Sequence, residues 1–359
     1  MSSKTSISID AMGGSNAPGA IIEAIYKFLS FRDNVFFKIY GQKSVILPKV
    51  TRYKLSKGKY ELIDCKEVIS DEDSAINAWR NSKNSSMRKA IEAVKDNQAQ
   101  SIVSCGNTGA LMLTAKMLLG TLEHVKRPAI AGIFPSLNNN GTVMLDIGAN
   151  LECKESHLFH FALMGACFAK ILLQKENPKI GILNVGSEKN KGRALERETY
   201  KILQKSELNF IGFIEGHDVV QGKTDVLVTD GFSGNIFLKA SEGAADICID
   251  LMKKSITKGG IIARLAGLVL KSSIKSSFKI IDPNCNNGAM LMGLKGIVIK
   301  SHGSANVNGI FQAINKAYQL AKYDVNTKIS KELIFFEEKG IYLGLVDKIS
   351  KFLHLDSKK

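Results

Sequence analysis

Apolar positions along the chain gather into short β-like runs that alternate with longer stretches of helical spacing. The strand-like runs cover residues 6–10, 35–40, 101–104, 130–134, 142–145, 180–184, 210–214, 226–229 and 296–299. Helical periodicity covers 17–30, 86–96, 108–120, 155–174, 193–204, 234–254 and 306–321. Strands that alternate with helices predict a mostly parallel sheet with helices on both faces, an αβα sandwich of Rossmann-like kind. In that architecture ligands bind beyond the carboxyl ends of strands. No internal repeat and no long Pro/Ser linker interrupts the alternation. The pattern predicts one compact two-lobed body over 1–330 and a Lys-rich tail over 331–359.

One stretch departs from the alternation. Residues 251–279 read LMKKSITKGGIIARLAGLVLKSSIKSSFK and hold no acidic residue. Ile261, Ile262, Leu265, Leu268 and Val269 share a helical face. Arg264, Lys271 and Lys275 lie beside it, within about 40° of one another on a helical wheel. A cationic amphipathic helix of this kind can rest in a membrane interface, or it can pack its apolar face on the body or on a second subunit.

Composition supports an enzyme-sized core. Hydrophobic residues make up 45% of 359, glycine numbers 31 and proline 6. No uninterrupted apolar run approaches the roughly 18 residues needed to cross a bilayer. The opening run MSSKTSISID enters a strand at once and reads without a signal peptide. Six cysteines, none in CxxC spacing, point to a reducing cytosol rather than to a zinc ribbon or a redox pair. Forty-nine Lys plus Arg against 34 Asp plus Glu leave a charge of +15, which either favours anionic partners or reflects the Lys-rich solvated faces of a basic proteome. Sparse aromatic interleaving argues against nucleic acid as that partner.

The chemistry concentrates at glycine-rich turns that mostly follow the strand-like runs. They include DAMGG (10–14), GNTGA (106–110), DIGAN (146–150), NVGSEKNKG (184–192), TDGFSGN (229–235) and HGSAN (302–306). Glycine lets backbone N–H groups converge on an oxyanion, and a turn that opens a helix adds the positive end of its dipole. Several such turns on one sheet edge would make a phosphate pocket. P-loop, GxSxG and GxGxxG patterns are missing. Lys191 could sit over a phosphate or be solvated, and Asn235 could donate to an oxyanion or cap a helix. His302 could contact an anion or cap its turn. His157 and His160 have metal-ligand spacing but are more simply surface or half-buried histidines. Asp10, Asp146 and Asp230 could hold a metal, although bonding to turn N–H groups is the reading preferred here. No metal or cofactor is expected.

DAMGG, SCGNTGA, RPA (127–129), DIGANLECK, NVGSEKNKG, IEG, TDGFSGN, KASEG and HGSAN occur together and in order. In this the chain resembles the bacterial phosphate acyltransferases of phospholipid synthesis, from about residue 7 to about 323. The resemblance implies an αβα sandwich similar to the isocitrate and isopropylmalate dehydrogenases and the phosphotransacetylases, usually as a homodimer. It implies transfer of a long acyl chain from acyl-carrier protein to inorganic phosphate, giving an acyl phosphate for glycerol-3-phosphate acylation. The catalytic residues it implies are Lys191 and Asn235. The phosphate and substrate turns it implies are Gly13, Gly14, Asn107, Thr108, Gly109, Asn150, Gly234, His302 and Ser304. Ser15 and Asn16 stand where the family usually has Asp-His, so those positions are expected to shape the loop. A comparable protrusion in the family is thought to meet the membrane, which would put Ile261, Ile262, Arg264, Leu265, Leu268, Val269 and Lys271 at an anionic membrane surface and make the protein cytoplasmic and peripherally attached. An acyl-CoA-dependent phosphotransacetylase, a decarboxylating dehydrogenase and a non-catalytic binder are the competing readings.

Overall fold

Central strands of this chain are apolar on both sides. SIVS (Ser101–Ser104) and IVIK (Ile297–Lys300) carry almost no exposed position, as strands covered by helices on both faces require. The computed structural model describes residues 4–138, 141–278, 282 and 284–338. Its elements in chain order are β1 (Thr5–Asp10), α1 (Gly19–Leu29), β2 (Val35–Gly41), α2 (Lys43–Arg52), β3 (Tyr60–Asp64), α3 (Ala75–Asn81), α4 (Ser86–Lys95), β4 (Ser101–Ser104), α5 (Thr108–Leu119), β5 (Ala129–Phe134), β6 (Thr142–Leu145) and α6 (Glu155–Leu172). There follow β7 (Ile180–Leu183), α7 (Ala194–Gln204), β8 (Phe210–Ile214), α8 (Gly216–Gln221), β9 (Val226–Val228), α9 (Gly231–Lys258), α10 (Gly260–Phe278), β10 (Ala289–Met292), β11 (Ile297–Lys300), α11 (Val307–Lys322) and α12 (Val325–Glu338).

The strands form one 11-stranded sheet in the order β3-β2-β1-β4-β11-β10-β5-β6-β9-β7-β8. Neighbours are parallel except at β11·β10, β10·β5 and β5·β6. The sheet is therefore mostly parallel and α/β, as the alternation predicts. The antiparallel steps have a consequence that the alternation does not predict. β1, β2, β3, β4, β11 and β5 run one way, and β10, β6, β7, β8 and β9 run the other, so, β10 aside, the molecule has two halves of opposite strand direction.

One core lies between the sheet and α1, α6, α11 and α12, and a second lies under α4 and α5. Helix α6 is apolar almost all round and is buried from Ser156 to Ala169, the pattern of a helix inside the body rather than on it. Phe159, Phe161 and Phe168 are among its fully buried side chains, each worth about 1.5–3 kcal/mol of burial. Helix α12 crosses the 330/331 line drawn from the sequence. Leu333 and Phe336 sit in the main core, so the body continues to Glu338, and the rest of the tail lies outside the described residues.

Helices α9 and α10 pack on each other, with a break at Gly259 and Gly260 between them. Only Gly231 and Gly234 of α9 are buried. Gly267 faces Ile256 closely enough that a Cβ there would lie 2.4 Å from Ile256 Cγ2, so a small residue is needed where the two helices meet. Ile261, Ile262, Leu265, Leu268 and Val269 are all exposed, Ile262 at 83%. Arg264 donates from Nε to Thr257 O at 3.1 Å. Lys271 belongs to the same helix.

Candidate active site

At the carboxyl ends of β1, β4 and β11 three turns lock into one another. Asp10 ends β1 inside the sheet and accepts from Ser86 Oγ (2.6 Å), Ser104 Oγ (2.7 Å) and Met12 N (3.3 Å). Burial raises its carboxyl above the usual range, against the pull of those bonds. Gly14, at φ +88°, lies so close to Gly303 that a Cβ would meet Gly303 O at 2.7 Å. Ser15 N donates to Gly303 O (2.9 Å), and Asn16 Nδ2 donates to Ser304 O and Ala305 O (3.2 and 3.1 Å). Ser15 and Asn16 thus latch the first turn onto the HGSAN turn, in keeping with a loop-shaping role.

Asn107 opens α5 as its N-cap. Its Oδ1 accepts from Ala110 N (2.9 Å), and its Nδ2 donates to the carbonyls of Ser70, Asp71 and Asp73. The Asn107 side chain is therefore committed to holding the turn, which leaves the backbone and Thr108 and Gly109 for a ligand. His302 follows β11, and its Nδ1 stands 3.0 Å from Ser304 Oγ. Burial lowers the His302 pKa below its ordinary value, so the ring is neutral at neutral pH.

The second half contributes from the ends of β6 and β9. Asp146 accepts from the N–H groups of Ile130, Gly148, Ala149 and Asn150 and from Asn150 Nδ2. Asn150 Nδ2 also reaches Pro128 O at 2.8 Å, so its side chain too is spent on the turn. Asp230 caps α9 by accepting from Ser233 N (2.6 Å) and is paired with Arg193. All three strand-end aspartates fix turns, and no group of three or more His, Cys, Asp or Glu suited to a metal ion occurs among the described residues. Gly234 lies against the Asp146 carbonyl, where a Cβ would stand 2.0 Å from the oxygen, so no larger residue fits.

Both sets of turns open on one cavity of about 710 Å³. One end is polar, with Gly106, Thr108, Gly109, Lys300, His302 and Gly303. The other wall is apolar and is built from Ile133, Phe134, Met144, Ile147 and Leu238. The expectation of several turns along one sheet edge is corrected here. The turns after β6, β9 and β7 belong to strands that run opposite to β1, β4 and β11. The turns after β6 and β9 meet the first set only across the cavity, through Gly148 and the first turns of α9, and the turn after β7 gives the cavity no lining residue. Cys105 also lines the cavity, but burial pushes its thiol up to about 11, so it is no thiolate at neutral pH.

Of the residues singled out in the sequence, Asn107, Thr108, Gly109, Asn235 and His302 line the cavity. Gly13 and Gly14 lie just behind it, packed on Gly106 and Gly303, and Ser304 holds His302. Asn235 is exposed, and its carboxamide makes no hydrogen bond among the described residues. Its Cγ would lie 3.6 Å from a Cβ on Gly148. Lys191 is exposed on the β7–α7 loop and is not among the lining residues. Arg193, two residues on, pairs with Asp230 and donates to Ser233 Oγ (3.4 Å), tying that loop to the helix that carries Asn235. His157 and His160 are buried in α6, away from the cavity. Two lysines on the cavity wall, Lys239 and Lys300, were missed by sequence reasoning. Lys300 ends a strand with only Ser301 between it and HGSAN, much the placement that drew attention to Asp10, so the same rule applied to a cation would have found it.

Comparison with known proteins fits this geometry. The profile of the fatty acid synthesis protein family matches residues 5–328. The phosphate acyltransferase of Anaplasma phagocytophilum is 42% identical over 334 residues, covering 91% of this chain and 96% of that protein. The phosphate acyltransferase of Bacillus pumilus is 38% identical over 327 residues, covering 91% and 97%. In fold, the phosphotransacetylase of Streptococcus pyogenes superposes with a TM-score of 0.59 at 18% identity, covering 89% of this chain and 94% of that one. With the family's profile and relatives of this identity both spanning nearly all of its folded body, the chain belongs to the fatty acid synthesis protein family, that of the phosphate acyltransferases.

Proposed function

We propose that this enzyme transfers a long-chain acyl group from acyl-carrier protein to inorganic phosphate, releasing acyl phosphate and free carrier for phosphatidic acid synthesis. One observation carries the reading. A single cavity joins glycine-turn amides, an unpartnered carboxamide at Asn235 and an apolar wall drawn from β5, β6 and α9. Phosphate has a second pKa of about 6 to 7, by analogy with phosphate esters, so it is largely dianionic and nucleophilic at neutral pH without a strong base. Its oxygen attacks the thioester carbon, the C–S bond breaks, and the carrier leaves as thiolate. The tetrahedral oxyanion between those steps takes a hydrogen bond from Asn235, worth roughly 3 kcal/mol. The backbone at Gly106–Gly109 and Gly303 holds phosphate, and the apolar wall holds the first part of the acyl chain. The remaining acceleration comes from holding the two reactants together. Lys191 joins this set from its loop, through the Arg193 tie to α9.

The test is an incubation of acyl-carrier-protein thioester with orthophosphate and hydroxylamine. Hydroxamate that depends on phosphate supports the reading, and none refutes it. Acyl-CoA as the better donor would favour the phosphotransacetylase-like reading instead. Around this chemistry we also place a homodimer that covers part of α9, and a peripheral, cytoplasmic attachment of α10 to anionic membrane, close to the glycerol-3-phosphate acyltransferase that uses the product.

A further inference from the structure

Lys300 ends β11 at the polar end of the cavity, where the DAMGG, GNTGA and HGSAN turns meet. Its side chain is half-buried. It donates to Cys105 O at 3.4 Å and to Ser301 O, and both acceptors are neutral carbonyls. No carboxylate lies within 4.0 Å of it among the described residues. The carboxylates on the cavity wall are engaged elsewhere or stand apart. Glu242 pairs with Lys239, Asp282 accepts from Asn284, and Asp71 lies beyond ion-pair distance of Lys300. A half-buried cation without a contacting counter-charge is costly to the empty fold, and such groups persist where a ligand supplies the missing charge. The walls beside it are backbone and glycine at Gly106 and Gly303, which leave room for a tetrahedral anion to approach both the ammonium and the turn amides.

We propose that Lys300 is the cationic phosphate-binding residue of this site, supplying the one full positive charge that the amide cradle lacks. This rests on the acyl-transfer reading only for which anion arrives, because any phosphate-sized dianion would answer the same charge. The proposal separates Lys300 from Lys239, whose charge is already answered by Glu242, and from Lys191, which lies outside the cavity wall. Desolvation lowers the Lys300 pKa, as expected of an ammonium awaiting its counter-ion.

Lys300→Met keeps the length of the side chain and removes the charge. The variant without ligand should unfold at a higher temperature than the parent, because an unanswered charge has been taken out of the interior. Orthophosphate should raise the parent's melting temperature and leave that of the variant nearly unchanged. In the acyl phosphate assay the KM for phosphate should rise about tenfold to a hundredfold, with the KM for the acyl donor within about twofold. A variant with the parent's phosphate KM and a full phosphate-induced thermal shift overturns the proposal. Should Lys300→Met fail to fold, the parent itself serves. Bound orthophosphate should protect Lys300 from a lysine-reactive ester, read by peptide mass spectrometry, and equal labelling with and without phosphate overturns the proposal. If the parent makes no acyl phosphate yet binds phosphate in a Lys300-dependent way, the acyl-transfer reading fails and the anion site stands.

Discussion

Asn235 is the polar side chain at the mouth of α9 that the fold leaves unused. Gly148, opposite it, has no Cβ, which clears the space into which the carboxamide would donate. Asn235→Ala should therefore lower kcat for acyl phosphate formation by about 10²–10³-fold with little change in KM, because the bond it removes forms only as the oxyanion develops. A variant with undiminished kcat removes Asn235 from the mechanism. A second residue-level expectation concerns α6. Burial pushes the pKa of His160 down to about 4, and the coulombic push of His157 adds to it. The unfolded chain takes up that proton near 6.5, so the stability contribution is complete above that pH and is lost as pH falls from 6.5 towards 4. The shift corresponds to about 3 kcal/mol at the acid end. Urea midpoints measured from pH 7 to pH 4 should fall, and His160→Phe should flatten that slope; an equally steep slope in the variant would place the acid sensitivity elsewhere. What was legible at this scale was the kind of residue, not its employment. Asn107 and Asn150 sit in the right turns, but their amides are consumed by carbonyls that come from distant segments.

At the scale of elements, nine strands, seven helices and the cationic segment carry their own apolar signal and were legible, whereas α2, α3, α8 and α12 were not read as helices, nor β3 and β10 as strands. The missed strands have physical reasons. β3 is an edge strand with the mixed sequence YELID, and β10 is four residues that pair antiparallel between β11 and β5, so neither shows a period long enough to read. Helix α9 begins at Gly231, ahead of the residues with helical periodicity, because Asp230 caps it and the glycines that look like a loop let it pack on the Asp146 turn. The cationic segment was legible as a helical stretch, and the structure divides it between the end of α9 and α10 at Gly259. Its apolar residues remain uncovered on α10, and no helix among the described residues is long and apolar enough to cross a membrane. A helix lying in the interface should hold the enzyme to anionic vesicles through that surface. The double change Ile262→Glu and Val269→Glu should abolish co-flotation with such vesicles and leave turnover of soluble acyl-carrier-protein thioester near the parent's. A parent that does not float above background ends the membrane assignment.

The opposed strand directions of the two halves exist only at the scale of the whole molecule. β10 and β11 fill the gap between β4 and β5 from residues 289–300, a long-range pairing that no local pattern encodes, but their two antiparallel steps cancel, and the reversal comes where the chain returns antiparallel from β5 to β6. That return makes the cavity an interface between halves rather than a sheet edge. Net charge also belongs to this scale. The surplus of +15 acts on any acidic partner from beyond contact distance, but salt confines it. The screening length is about 10 Å at 0.1 M and about 3 Å at 1 M. If the donor is the acidic carrier protein, kcat/KM should fall steeply with added potassium chloride at saturating phosphate, because steering of a macroanion is lost. A neutral acyl thioester of a short pantetheine fragment meets the same cavity without the macroanion, so its kcat/KM should change little over the same range. The difference between the two slopes isolates the carrier from the phosphate, whose own screening is common to both. Equal slopes would mean that the basic surface plays no part in docking the donor, and the surplus charge would then need another partner.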